Sequence, residues 1–236
     1  MLACGFAGCT GIPTTHDEMS FKYVAEGDED DFDQTLEITN EGLSAVVPTL
    51  EITPLDAARN PVPGVAVLTA FGSDRGRQVV ASFMTETEVL RFEGERADEV
   101  VDVRVEIEKL EQVSYPDFEK YFDIQRFDDD VPVDGDKTFD ALDLSNPNDK
   151  TLSMGVALIA WEQSERNGLE QFAWSIPLDD VYTVPAHGRE RVPLPEGLAD
   201  ELVVTVVPYP AMGSHPEDPV TDVGEWRVRA GRQREP

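Results

Sequence analysis

Two acidic tracts carry the side chains best suited to hold a metal ion. Residues 26–31 read Glu-Gly-Asp-Glu-Asp-Asp, and a second tract contains Asp128, Asp130, Asp134 and Asp136. Ca²⁺ needs roughly six to eight converging oxygens, and the ion relieves the repulsion between crowded carboxylates. The spacing differs from that of an EF-hand loop, and a solvated acidic linker is the alternative interpretation. Ca²⁺ at the second tract is the one cofactor that the sequence suggests.

The residues that usually carry enzymatic catalysis are thinly represented. Only three histidines occur, His16, His187 and His215, and they are far apart in the chain. Gly213-Ser214-His215 lies in a proline-rich stretch and not in the strand–turn–helix context of a serine nucleophile. No glycine cluster forms a phosphate-binding loop, and 48 acidic residues make any pair of carboxylates uninformative about glycoside cleavage. We therefore expect a protein that is not an enzyme.

The charge balance restricts the partners. The 236 residues carry a formal net charge of -29, and the sequence pI is about 4.2. Such a polyanion repels nucleic acid and anionic membrane surfaces. Arginines outnumber lysines among the cations, which is typical either of a high-salt host or of an acidic secreted protein from an arginine-rich proteome. The expected location is extracellular or at the cell surface, with the cytoplasm of a high-salt host as the alternative.

Both cysteines lie near the N-terminus. The segment Phe6-Ala7-Gly8-Cys9-Thr10-Gly11 resembles the end of a prokaryotic lipoprotein signal, in which small residues precede a cysteine that becomes lipidated. This resemblance implies a lipid anchor on Cys9, which would be the only attachment to a membrane. The residues before Cys9 lack the charged start and apolar stretch of a full signal. A pair of free thiols, or a local disulfide between Cys4 and Cys9, is the other interpretation.

A short strand pattern occurs twice in the chain. Leu36-Glu37-Ile38-Thr39-Asn40 and Leu142-Asp143-Leu144-Ser145-Asn146 both alternate apolar with polar residues and end on asparagine. Alternation predicts half-buried strands, and asparagine at a strand exit can hold a turn with its own side chain. The repeated pattern predicts one small β unit written twice.

Other segments extend the match between the two units. Val65–Phe71 matches Val156–Trp161, and Val101–Ile107 matches Leu202–Val207. Strict alternation predicts one solvated face for Val101–Ile107, whereas the nearly all-apolar second segment should be covered on both faces. A strand over Thr49–Ile52 is expected in the first unit only. The 17 prolines and 17 glycines favour many short strands joined by turns.

Four segments are predicted along the chain. Residues 1–25 form a lead or anchor, 26–114 a first β-sandwich domain, 115–137 an acidic connector, and 138–236 a second β-sandwich domain with a C-terminal tail. Pro116–Arg126 is the best candidate for a helix, because Phe118 and Phe122 could share one face. The predicted fold is all-β, with two tandem domains and a connector that contains this short helix.

The paired strands, the aromatic that ends a central strand and the late Ala-Asp-Glu loop resemble immunoglobulin-type or fibronectin-type extracellular modules. The Cys…Trp…Cys signature of antibody domains is absent. The resemblance implies a binding or adaptor protein whose protein partner is unknown. The alternatives are a structural subunit of a surface layer, filament or virion-like assembly, which could be homomeric or heteromeric, and a carbohydrate-binding accessory module.

One segment near the C-terminus combines an aromatic with cations. Trp226, Arg227 and Arg229 form an alternating stretch that could bind an acidic partner. Arginine also commonly guards the edge strand of a sheet, so a last edge strand is the other interpretation.

Overall fold

The computed structural model consists of antiparallel β-sheets, so the all-β prediction is confirmed. It describes residues 14–25, 34–71, 78–128, 130–133, 139–163, 170–178, 181–194 and 204–212. Within these ranges the only helical pieces are short 3-10 turns at His16–Glu18 and Ala97–Glu99. We call residues 14–112 the first unit and residues 123–212 the second unit.

The described part of the first unit contains six strands in two sheets. They are β1 (Met19–Val24), β2 (Thr35–Asn40), β3 (Val46–Leu55), β4 (Ala66–Thr69), β5 (Thr85–Glu93) and β6 (Asp102–Gln112). One sheet has the order β1-β2-β5-β4, and the other contains β3 and β6. Glu37 and Thr39 of β2 are partly exposed, while Leu36 and Ile38 point inward to the core between the sheets.

Eight strands lie in the described residues of the second unit. They are β7 (Asp123–Asp128), β8 (Val131–Val133), β9 (Ala141–Ser145), β10 (Leu152–Gln163), β11 (Glu170–Pro177), β12 (Tyr182–Val184), β13 (Arg189–Pro193) and β14 (Val204–Pro210). One sheet has the order β13-β9-β7-β8; in the other, β10 is central and pairs with β11, β12 and β14.

Residues 154–159 of strand β10 are buried on both faces because the strand joins two cores. Met154, Val156 and Leu158 pack inside the second unit, while Ala157 and Ile159 pack against the first unit. In the neighbouring strand β14, Val206 packs inside the second unit and Val207 packs against the core shared with the first unit, so these two residues of the predicted Leu202–Val207 segment are covered on opposite faces. Leu202 and Val203 lie outside the described residues. Strand β6 instead has one exposed face, as its alternation predicted. The junction between the units is therefore an apolar core.

Two buried asparagines occupy matching places in the two units. The Nδ2 of Asn40 lies 2.9, 3.0 and 3.1 Å from the carbonyl oxygens of Ser44, Val80 and Ala81. The Nδ2 of Asn146 lies 2.8, 3.0 and 3.1 Å from those of Lys150, Val184 and Pro185. Each Oδ1 accepts the backbone N–H two residues later, so the prediction that asparagine holds the turn is confirmed.

The same geometry corrects one predicted match. Val46 pairs with Val80 as Leu152 pairs with Val184, so β3 is the counterpart of β10. The predicted strand over Thr49–Ile52 is confirmed as part of β3, but the expectation that it has no counterpart in the second unit is wrong, and so is the match of β4 with β10. Two prolines interrupt the apolar run of β3, which hid its likeness to the continuous apolar run of β10.

The predicted helix in the connector is also wrong. Residues 113–122 have no regular structure, and strand β7 follows directly. An extended path lets both Phe118 and Phe122 enter the core of the second unit. The side chain of Asn148 binds the backbone N–H and C=O of Lys120, groups that a helix would have used internally. The predicted 115–137 connector consequently contains β7 and β8.

Candidate functional site

A tight turn before β5 places an aromatic ring in an unusual backbone conformation. Residues 81–84 form a four-residue turn in which the N–H of Met84 donates to the C=O of Ala81 at 3.2 Å. Phe83 occupies the third position with a φ of 58°. Positive φ at that position favours glycine, and a bulky residue there is strained by about 1–3 kcal/mol.

The ring of Phe83 faces solvent, and so does a second apolar side chain on a neighbouring loop. Phe83 is 66% exposed and Leu43 is 55% exposed. Their loops are joined by a hydrogen bond of 2.9 Å, which Ser82 Oγ donates to the C=O of Gly42. We call Leu43 and Phe83 the Phe83 patch. Exposed aromatic and aliphatic side chains grouped on adjacent loops are typical of protein-binding surfaces.

The second unit repeats the backbone of this site with different chemistry. Its matching turn runs from Pro185 to Gly188, and His187 has a φ of 53°. Asp149 stands in the loop that corresponds to that of Leu43, and its Oδ1 lies 2.7 Å from His187 Nε2. An apolar pair in one unit thus corresponds to an ionisable pair in the other. The strained turn is a feature of the repeat, whereas the apolar patch is specific to the first unit.

The loop that carries Leu43 is fixed by contacts with the buried Thr14. Thr14 is buried, and its hydroxyl donates to the C=O of Ser44 at 2.8 Å. A Cβ on Gly42 would lie 2.2 Å from Thr14 Oγ1, so only glycine leaves room for this contact. Because the loop is fixed by these contacts, the patch is preformed, and binding to it would not require reordering.

A buried carboxyl group lies next to the same turn. Glu86 is 3% exposed, and the hydroxyl of Tyr121 lies 3.3 Å from both of its carboxyl oxygens. Desolvation raises the pKa of Glu86 to about 8, although the hydrogen bond from Tyr121 opposes the rise. Burial and the nearby carboxylate also raise the pKa values of Tyr115 and Tyr121. Glu86 is therefore largely protonated at neutral pH.

The burial of Glu86 comes from the segment between the units. Ile38 pairs with Glu86 in the first unit as Leu144 pairs with Glu190 in the second, and Glu190 is exposed. Tyr121 covers Glu86, and Tyr115 donates a hydrogen bond to the C=O of Ser153 in β10. The arrangement links the end of the first unit to the central strand of the second.

The structure describes only half of the predicted calcium site. Asp128 and Asp130 lie at the turn between β7 and β8, while Asp134 and Asp136 lie outside the described residues. Asp130 accepts a hydrogen bond of 2.9 Å from Arg191. Among the residues that the structure describes, no group of three or more His, Cys, Asp or Glu side chains could hold a metal. Ca²⁺ binding at this tract stays a prediction.

Other predicted site residues lie beyond the described ranges. These are Cys9, the predicted lipid anchor, and the predicted partner-binding residues Trp226, Arg227 and Arg229. In the part of the chain that is described, no helix has the length and apolar character needed to cross a membrane.

Sequence reasoning missed Phe83 and Glu86. The sequence did contain a signal for both residues. When the alignment of the two units is continued beyond Asn40 and Asn146, Phe83 aligns with His187 and Glu86 aligns with Glu190. No family model, curated protein or solved structure matches the chain. The functional argument accordingly depends on the geometry of the site.

Proposed function

We propose that the chain is a non-enzymatic protein-binding module made of two tandem immunoglobulin-like β-sandwiches. The strand order β1-β2-β5-β4 opposite β3-β6 supports this proposal, since it corresponds to the ABED and CF strands of such sandwiches. The second unit supports it too, with β7, β9 and β13 opposite β10 and β14. In sandwiches of this kind, the loops at one end commonly carry the binding residues.

The Phe83 patch is the binding site in this proposal, and the backbone of Phe83 is the observation that carries it. A residue that is both strained and exposed costs stability twice, once in backbone conformation and once in apolar surface. Its counterpart His187 avoids the second cost. Aromatic side chains on preformed loops are frequent energetic centres of protein interfaces, which would account for the retention of Phe83.

In the test, a substitution at the matching position of the second unit serves as the control for a substitution at Phe83. The full chain is immobilised as wild type, as Phe83→His and as His187→Ala, and proteins captured from an extract of the producing cells are compared by quantitative mass spectrometry. We expect a partner that wild type and His187→Ala retain equally and that Phe83→His loses at least tenfold, since an anchor aromatic contributes about 2 kcal/mol. A partner captured equally by all three proteins would show that the patch is not the binding site.

The proposal also includes a location outside the cytoplasm, with a lipid on Cys9. The small residues before Cys9 support this part. Intact mass measurement of protein from the producing cells would reveal the acyl groups, and Cys9→Ser should abolish them. An unmodified Cys9 in membrane-free protein would rule out the anchor.

A further inference from the structure

Among the described strands, β6 ends its sheet with a long unpaired edge. In the part of the chain that the structure describes, β6 pairs only with β3. The far edge of β3 is blocked, because the N–H and C=O of Val46 bond to Val80, and prolines occupy positions 48 and 54. Strand β14, the counterpart of β6 in the second unit, contains Pro208 and Pro210. No proline occurs in the eleven residues of β6, so its backbone can still accept another strand.

The pairing with β3 shows which backbone groups of β6 are free. The backbone N–H and C=O of Val46 bond to Val80, on the side opposite β6. Backbone groups alternate in direction along a strand, so those of the even-numbered residues of β3 point away from β6 and those of the odd-numbered residues bond to β6. The β6 partners of the odd residues are Asp102, Arg104, Glu106, Lys109 and Glu111. The backbone groups of the intervening residues, including Val105 and Leu110, consequently face the open edge.

The exposed side chains of β6 are arranged so that the strand complements itself. Arg104, Glu106, Lys109 and Glu111 are all exposed on the outer face of the sheet. When a second β6 is laid antiparallel beside the first, with Val105 opposite Leu110 of the second copy, Arg104 faces Glu111 and Glu106 faces Lys109 across the seam. The two-fold symmetry repeats both opposite-charge pairs.

The register that places Val105 opposite Leu110 satisfies both the backbone pairing and the charge pairing. Placing Val105 opposite Leu110 pairs free backbone groups with free backbone groups, and the charged residues then form the closely spaced pairs that are not hydrogen-bonded. The bulge in β6 lies between Ile107 and Lys109, so it falls on the symmetry axis and does not shift one arm against the other. We propose that two copies of this chain associate through antiparallel pairing of their β6 edges, which joins the two β3-β6 sheets into one four-stranded sheet.

The test is the mass of the full chain in solution, compared across three variants. The mass is measured by sedimentation equilibrium at about 0.15 M salt, because this salt concentration screens long-range repulsion between the acidic copies and leaves close charge pairs effective. We expect a dimer with a micromolar dissociation constant for the wild type. Val105→Pro removes an edge N–H that β3 does not use and should abolish the dimer without changing the fold.

The charge pairs are tested by a swap. Arg104→Glu should weaken the dimer about tenfold or more, because two like-charge contacts replace two attractive ones. The double variant Arg104→Glu with Glu111→Arg should restore it. Within one copy, Arg104 is 3.2 Å from Glu106 and Lys109 is 2.9 Å from Glu111, so the swap places like charges together there. Rescue by the swap is therefore possible only across the seam.

Three results would overturn the proposal: a wild-type monomer at about 100 μM, a dimer that Val105→Pro leaves intact, or a double variant no better than Arg104→Glu. Circular dichroism and melting of each variant separate lost association from lost folding. The outcome is independent of the Phe83 patch, because none of these substitutions alters that site.

Discussion

The protonated carboxyl of Glu86 makes the stability of the protein depend on pH in a direction unusual for an acidic residue. Its pKa is near 8 in the folded chain against 4.5 when solvated, so the folded state holds a proton that the unfolded state releases. Stability should therefore fall as the pH rises from about 4.5 to about 8 and then level off. Glu86→Gln keeps the shape and removes the titration. We expect the free energy of unfolding of the variant to rise relative to that of the wild type over this range, by on the order of a few kcal/mol at pH 8.

The repeat supplies the control for this experiment. Glu190 stands at the matching position and is exposed, so Glu190→Gln makes the same substitution without removing a buried carboxyl group. Urea unfolding of the wild type and both variants at several pH values measures the difference. Parallel curves for the wild type and Glu86→Gln would mean that Glu86 ionises normally in the folded chain.

A second prediction at this scale concerns the strained turn. Phe83→Gly should stabilise the protein by roughly 0.5–1 kcal/mol, because relief of the positive φ outweighs the added flexibility of the unfolded chain. The same variant should lose the partner in the capture experiment. Thermal unfolding provides the measurement, and a loss of stability would show that the ring contributes to folding and not only to binding.

Among the elements, the buried asparagines tie each unit's two sheets together. Asn40 and Asn146 both direct Nδ2 at three backbone carbonyls that belong to different loops and strands. Asparagine to aspartate at either position removes these donors and places a carboxylate oxygen against the three carbonyl oxygens. We expect each variant to lose about 2–4 kcal/mol by urea unfolding. A loss below about 0.5 kcal/mol at either position would show that its contacts do not hold that unit together.

The strands themselves were predictable to the extent that their sequences alternate. β2 and β9 have apolar residues on one face and asparagine at the exit, and β6 shows strict alternation, so each was identified from the sequence. Only the centre of β3, Thr49–Ile52, was predicted, because Pro48 and Pro54 interrupt a strand that tolerates them only on its outer edge. The helix was wrongly predicted between the units because two phenylalanines four residues apart could share one face of a helix. An extended chain also buries both rings, and the spacing alone does not distinguish the two cases.

The candidate site was harder to predict than the strands for a physical reason. Phe83 is notable for its positive φ and its exposure, and Glu86 for its burial, and these properties come from tertiary contacts that no local pattern encodes. Tyr121 reaches Glu86 from a segment 35 residues away. The repeat could have flagged both positions as differing from their counterparts, although it could not give the reason for either difference.

At the scale of the whole molecule, the two units share a core. Phe71 of the first unit packs on Tyr209 of the second, with ring centroids 5.5 Å apart. The N–H of Val79 donates to the C=O of Pro210 at 2.8 Å, which links the units by backbone as well. Gly155 makes room for the ring, because a Cβ there would lie 2.5 Å from a ring carbon of Tyr209. Such an apolar, backbone-bonded junction differs from the polar contacts that usually permit domains to move independently.

The shared core predicts that the units unfold together. Calorimetry of the wild type should show one transition whose calorimetric and van't Hoff enthalpies agree. Phe71→Ala removes the ring at the junction, and we expect it to cost about 3–5 kcal/mol and to divide the melt into two transitions. Leu36→Ala provides the matched control, because Leu36 is equally buried but lies within the core of the first unit. It should lower the melting temperature without dividing the transition, whereas two transitions in the wild type would mean that the junction does not couple the units.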